Sequence, residues 1–135
     1  MIDLQKITWS IAALAREAGG FIRTEAEKFS MDQVELKGKS DLVSYVDKET
    51  EKKLVSSLKD ILPEAGFITE ENTIAQDKKA YTWVIDPLDG TTNFVHGLPT
   101  YAVSVGLMEG EVIVAGVVYE VTRDECFYAW KDGGA

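Results

Sequence analysis

The chain has 135 residues, the size of one ordinary domain. Hydrophobic residues make up 45% of it and charged residues 27%, a balance that excludes a disordered chain. Asp and Glu number 23 against 14 Lys and Arg; the formal net charge of −9 argues against general nucleic-acid binding, which needs a basic footprint. A phosphorylated substrate stays compatible with this charge if cations are held at the site. Cys126 is the only cysteine, so an intrachain disulfide and a cysteine-based zinc cluster are excluded. The opening Met-Ile-Asp-Leu-Gln-Lys is not a charged-then-apolar leader, and no apolar run approaches the roughly 20 residues needed to cross a bilayer. A cytoplasmic enzyme with no membrane contact is the expectation.

Leu4, Ile7, Ile11, Leu14, Ala18, Phe21 and Ile22 recur at helical spacing and predict a first helix. Gly19-Gly20 interrupts that face, which predicts a bend or a close packing contact. Charges dominate from Arg23 to Lys28. Ser30 to Ser40 reads as a loop or short hairpin, with Gly38 suited to a turn. A second helix is expected to open in Asp41-Leu-Val-Ser-Tyr-Val-Asp47, where Ser44 and Asp47 fit a capping box. Thr50, Leu54, Leu58, Ile61 and Leu62 would form its buried face, and Pro63 would end it.

The periods then shorten. Gly66 to Thr69 predicts a short strand running into Glu70-Glu71, and Tyr81 to Ile85 a β-branched and aromatic strand running into Asp86-Pro87. Tyr101 to Met108 and Glu111 to Tyr119 predict a hairpin around Glu109-Gly110, with a last strand from Cys126 to Trp130. Two helices followed by a mostly antiparallel sheet make the class α+β.

Asp86-Pro-Leu-Asp-Gly-Thr-Thr-Asn93 carries the chemistry. A buried strand ends in one carboxylate and a second follows three residues later. Pro87 stiffens the link, and Gly90 permits a sharp turn. Thr91-Thr-Asn93 then reads as the first turn of a short helix, whose free N–H groups suit phosphate oxygens. Hard oxygen ligands at this density suit Mg²⁺ rather than zinc. Asp-Gly-Thr is also an ordinary turn, and Asp or Thr an ordinary N-cap, so spacing alone leaves both readings open. Glu70-Glu71 could add a third carboxylate, or be a solvated acidic loop.

Trp83-Val-Ile-Asp-Pro-Leu-Asp-Gly-Thr-Thr-Asn-Phe-Val-His-Gly-Leu-Pro99 resembles the signature of the inositol monophosphatase family. Gly66-Phe-Ile-Thr-Glu-Glu-Asn72 resembles its Glu-Glu motif, and Asp41 to Asp47 its Asp-x-Val-(Thr/Ser)-x-x-Asp motif. Tyr101 to Leu107 and Gly116 to Tyr119 also match in order. The resemblance covers nearly the whole chain. It implies the N-terminal half of the layered α/β/α/β/α sugar-phosphatase fold. It further implies that Glu70, Asp86, Asp89 and the carbonyl of Leu88 bind Mg²⁺, and that Gly90, Thr91 and Thr92 hold the phosphate. Glu70 and Thr91 would activate the attacking water. Asp47 would support Thr91, and Glu71 would act from behind the ligands. The implied reaction is metal-assisted hydrolysis of a phosphorylated polyol or sugar, most closely inositol 1-phosphate, by a lithium-sensitive, cytoplasmic homodimer.

His96, the only histidine, reads as structural, and Lys37 or Lys39 falls where the family carries a lysine-bearing loop near the metals. Trp9, Trp83 and Trp130 read as core or interface residues, and Cys126 as a buried strand residue. Relatives of the family are roughly twice this length, and their second half supplies another ligating Asp and most substrate contacts. Residues 1–135 are therefore expected to form the metal- and phosphate-binding half of a longer gene product. Alone they would leave apolar sheet surface uncovered and have little activity. Fructose-1,6-bisphosphatase, histidinol-phosphatase and nucleotide-phosphatase activities are rival branches, although the nucleotide branch usually has Lys in place of Thr92. A non-catalytic transcription-complex factor is the rival from another class.

Overall fold

The computed structural model describes the backbone of residues 2–32 and 36–133, and side chains within them other than those of residues 29–42. Two long helices come first, α1 (Leu4–Asp32) and α2 (Leu36–Ile61). The buried stripe of α1 is Ile7, Ile11, Ala15, Ala18 and Ile22, steps of three or four that keep one face inward. Gly19 does not break the helix. The Tyr119 ring occupies its face so closely that a Cβ there would stand 2.2 Å from Tyr119 Cε2. Close packing, not a bend, is the role realised. Arg23 adds a tie on the same side: its Nη2 donates to the Tyr119 hydroxyl at 2.9 Å and to the Val121 carbonyl at 3.0 Å.

The loop expected over Ser30 to Ser40 is corrected on both sides. Residues 30–32 belong to α1 and residues 36–40 to the first turns of α2, while residues 33–35 lie outside the described residues. Leu and Lys are good helix formers, and one interior Gly costs only about 1 kcal/mol. The packed remainder of α2 offsets that. The capping box fails for the same reason: Ser44 and Asp47 lie inside the helix, not at its start. Lys37 and Lys39 lie in the first turns of α2, where side chains are outside the described set. Thr50, Leu54, Leu58 and Leu62 are buried as expected, and α2 ends just before Pro63.

The sheet runs β1 (Gly66–Thr69), β2 (Tyr81–Asp89), β3 (Ala102–Glu109), β4 (Val112–Glu120) and β5 (Glu125–Trp130), in that spatial order. β1 pairs parallel with β2 and every other pair is antiparallel. A five-residue helix α3 (Thr91–Val95) separates β2 from β3. The α+β class and the mostly antiparallel sheet stand, with one parallel pair at the edge.

Helices α1 and α2 cover one face of the sheet, onto which Trp83, Ile85, Val103, Val105, Leu107, Val117 and Tyr119 point. Among the described residues nothing covers the opposite face. There Val84, Gly106, Gly116 and Ala129 stand opposite one another across four strands, forming a shallow row flanked by exposed Ile113, Val118 and Phe127. Of the tryptophans, Trp83 is core, Trp130 is half-buried and stacked on Tyr128, and Trp9 is exposed. Cys126 is half-buried on β5 rather than fully buried; burial still pushes its thiol above the ordinary range.

Candidate active site

The acidic residues gather where β1 and β2 end side by side. Parallel pairing sets Thr69 against Ile85. Glu70 continues that register: its N–H donates to the Ile85 carbonyl at 3.3 Å, so the chain carries Glu70 alongside Asp86. Both follow the pleat of residues two positions earlier, Ile68 and Val84, onto the open face of the sheet.

In a regular strand Asp86 and Asp89, three apart, would point to opposite faces. They do not, because the strand is irregular between them. Asp86 pairs with Ser104 and Asp89 with Ala102, so three steps on β2 match two on β3. Ser104 and Ala102 share a face, and the bulge gives their partners a shared face too. Pro87 suits such a bulge, since it has no N–H to give the ladder. Pro87 and Leu88 are buried, whereas Asp86 is half-buried and Asp89 exposed. The expected strand end at Ile85 is thus four residues short, and the missing stretch aligns the two carboxylates.

Gly90 then turns the chain into α3 with φ +88° and ψ 38°. A Cβ at Gly90 would stand 2.6 Å from the Thr100 carbonyl. Only glycine fits both the left-handed backbone and the close approach. The turn is pinned by Asn93, whose Nδ2 donates to the same Thr100 carbonyl at 2.9 Å, and by Phe94 packed edge-on against Tyr101. Thr91 is half-buried and Thr92 exposed in the first turn, where backbone N–H groups have no partner within the helix. His96 closes α3, exposed, with its N–H on the Thr92 carbonyl at 3.2 Å.

Two acids come from α2, one turn apart on its buried side. Glu51 is fully buried and accepts three hydrogen bonds from the loop after β1: from Glu71 N–H at 2.8 Å, Thr73 N–H at 2.8 Å and Thr73 Oγ1 at 2.5 Å. Asp47 is also buried, but its Oδ1 has no partner among the described residues. Burial first, then the side-chain hydrogen bond with Glu71 and the negative fields of Glu71, Asp86 and Glu70, push the Asp47 carboxyl up to about 8. Asp86 is raised too, by burial, then by Asp89 and Glu70; the Leu88 N–H partly offsets this. Asp47, Glu70, Glu71, Asp86 and Asp89 therefore lie within one electrostatic neighbourhood. Among the described residues no three acidic, histidine or cysteine side chains close into a ready-made metal cage, and Asp47 and Thr91 form no hydrogen bond, although α2 packs on α3.

Glu51 escaped the sequence reading. Its signal was its spacing: 47, 51, 54 and 58 follow the buried side of α2, and an acid at such a position needs donors. The bulge had a signal as well, a proline inside an otherwise regular strand pattern.

Residues 3–135 match the model of the inositol monophosphatase family. Inositol monophosphatase 1 of Sus scrofa is 43% identical over 126 residues, which is 90% of this chain and 45% of that protein. The fructose-1,6-bisphosphatase/inositol-1-monophosphatase of Aquifex aeolicus is 38% identical over 126 residues, 93% of this chain and 48% of that protein. Among solved structures, Mycobacterium tuberculosis SuhB superposes with a TM-score of 0.80 at 32% identity, covering 100% of this chain and 48% of that one. The chain thus spans about half the length of the relatives it matches.

Proposed function

The chain belongs to the inositol monophosphatase family, and from that premise we propose that it supplies the metal- and phosphate-binding half of a Mg²⁺-dependent phosphatase acting on inositol phosphate. The observation that carries this reading is the β2 bulge, which turns Asp86 and Asp89 to one face beside Glu70. The donor set fits a hard cation. Its groups are all oxygen, and Glu70, Asp86 and Asp89 are gathered at the adjoining ends of two paired strands.

In this reading Glu70, Asp86, Asp89 and the carbonyl of Leu88 would hold Mg²⁺. Held there, Mg²⁺ would supply charge neutralisation for the phosphate and greater acidity for the attacking water. The protein's own work is positioning. Gly90, Thr91 and Thr92 present N–H and hydroxyl donors to phosphate oxygens. Glu70 with Thr91 orients the water for in-line attack and takes its proton. Asp47, buried on α2 beside Glu71, would support Thr91 and Glu70 from behind. The exposed apolar face of the sheet is where the other half of the architecture would pack, bringing a further ligand and the substrate pocket. Homodimer formation, lithium sensitivity and a cytoplasmic location belong to the same proposal.

Phosphate release from inositol 1-phosphate, measured with and without Mg²⁺, tests it. In a chain extended to the length of the relatives, Mg²⁺-dependent release should appear and Glu70→Gln should lower kcat at least about 100-fold. Equal release by Glu70→Gln and wild type would remove the site. The 135-residue chain alone should release phosphate at a small fraction of that rate. Full activity from it would overturn the assignment of residues 1–135 as a half.

A further inference from the structure

We infer that Glu51 is a positioning residue for the metal site: its buried carboxylate sets the backbone of the Glu70–Glu71 segment. The inference rests on the function proposed above and extends it to a residue that would touch neither metal nor substrate.

The segment after β1 has no regular structure of its own. Asn72 sits in the left-handed region at φ 54°, so the chain reverses there. The two N–H groups on either side of that residue, from Glu71 and Thr73, both point at Glu51, one to each carboxylate oxygen, and the Thr73 hydroxyl joins the second. A carboxylate accepts at both oxygens, so one side chain satisfies the whole reversal. Glu70 is then fixed from two sides, by its own N–H on the Ile85 carbonyl of β2 and by the Glu51 bond one residue later. Gln76 anchors the preceding residue, accepting from Thr69 N–H at 2.6 Å and donating to Thr69 Oγ1 at 3.0 Å.

The placement on α2 matters as much as the bonds. Glu51 lies one helical turn from Asp47, so both carboxylates leave the same side of one helix. The element that carries Asp47 also holds the Glu70 backbone against the strand bearing Asp86. Groups contributed by α2, β1 and β2 are thereby set relative to each other through buried, charge-assisted hydrogen bonds. A purely structural loop would be served by any donor–acceptor match; this one fixes one candidate ligand, Glu70, beside another, Asp86.

Glu51→Gln tests the inference, because its amide keeps the shape but has one oxygen acceptor and a donor where the second oxygen was. Mn²⁺ binding to the 135-residue chain is read by electron paramagnetic resonance at a temperature where circular dichroism shows each variant folded. The expected result is at least tenfold weaker Mn²⁺ binding in Glu51→Gln, with faster exchange of the Glu71 and Thr73 amide hydrogens. Thr73→Val, which removes only the hydroxyl bond, should weaken binding two- to threefold; it decides the matter if Glu51→Gln does not fold. Faster amide exchange with unchanged Mn²⁺ affinity, in whichever of the two variants folds, overturns the inference and leaves Glu51 a stabiliser only. Wild-type chain that binds no Mn²⁺, or binds it as well after Glu70→Gln, overturns the metal-site reading itself, an outcome visible before any Glu51 variant is made.

Discussion

Asp47 and Glu51 are two buried carboxylates on one side of one helix, and their surroundings could hardly differ more. Glu51 receives three donors from the segment it faces. Asp47 has an oxygen with no partner among the described residues and is pressed by three other carboxylates. Removing a carboxylate from water is costly unless hydrogen bonds or a counter-charge replace the lost hydration. At Glu51 the fold supplies the replacement. At Asp47 it does not, and a proton or a cation must. The difference separates a carboxylate whose hydration the fold replaces from one whose hydration it does not, although sequence gives both as acids at helical spacing.

Four measurements would break or sharpen that contrast. Replacing Glu51 by Ala should cause the largest loss of stability, about 3 kcal/mol or more in urea unfolding, since three donors lose a charged acceptor in a buried place. A loss below about 1 kcal/mol would show that water replaces it freely. Gly90→Ala should cost about 2 kcal/mol and disturb the turn after Asp89, from a positive φ and a contact with the Thr100 carbonyl.

The third measurement is of pH. The Asp47 carboxyl titrates at about 8 in the folded chain and near 4 when unfolded. Between those values the folded chain holds the extra proton, so stability contributed by Asp47 is full below about pH 4 and is lost as pH rises toward 8. Asp86, raised in the same direction, adds to the slope. Unfolding free energy should fall across that window without divalent ions. Asp47→Asn should flatten the fall and make the protein more stable than wild type at pH 8, the reverse of Glu51→Ala. Millimolar Mg²⁺ should restore wild-type stability at pH 8 and do less for Asp47→Asn. A flat profile in wild type would mean that Asp47 is better solvated than its position indicates. The smallest effect belongs to Thr73→Val, which takes one of three donors from Glu51 and should cost about 1 kcal/mol.

Much of the architecture was legible because local patterns and tertiary packing agree. The inward stripes of α1 and α2, the extent of β1 and the hairpin around Gly110 follow from period and turn chemistry. The fold departs from the local pattern where local signals are weak or opposed. Leu36 to Ser40 has no apolar face, yet helix propagates through it from the packed part of α2. Ser44 and Asp47 have cap-like spacing, but a cap exists only where a helix begins.

The sequence by itself supplied the residues proposed for the site: Glu70, Asp86, Asp89, Gly90, Thr91 and Thr92, in a pattern that resembles one family. Types and spacing alone left an ordinary turn and a solvated acidic loop open, and the resemblance chose between the readings. Only the tertiary structure decided their arrangement. The β2 bulge, which puts Asp86 and Asp89 on one face, depends on pairing with β3, and no single-strand pattern contains its partner. The split between Asp47 and Glu51 depends on which loop folds over which turn of α2. Burial and hydrogen bonding across 20 or more residues of chain settle that, and such distances carry no periodicity to read.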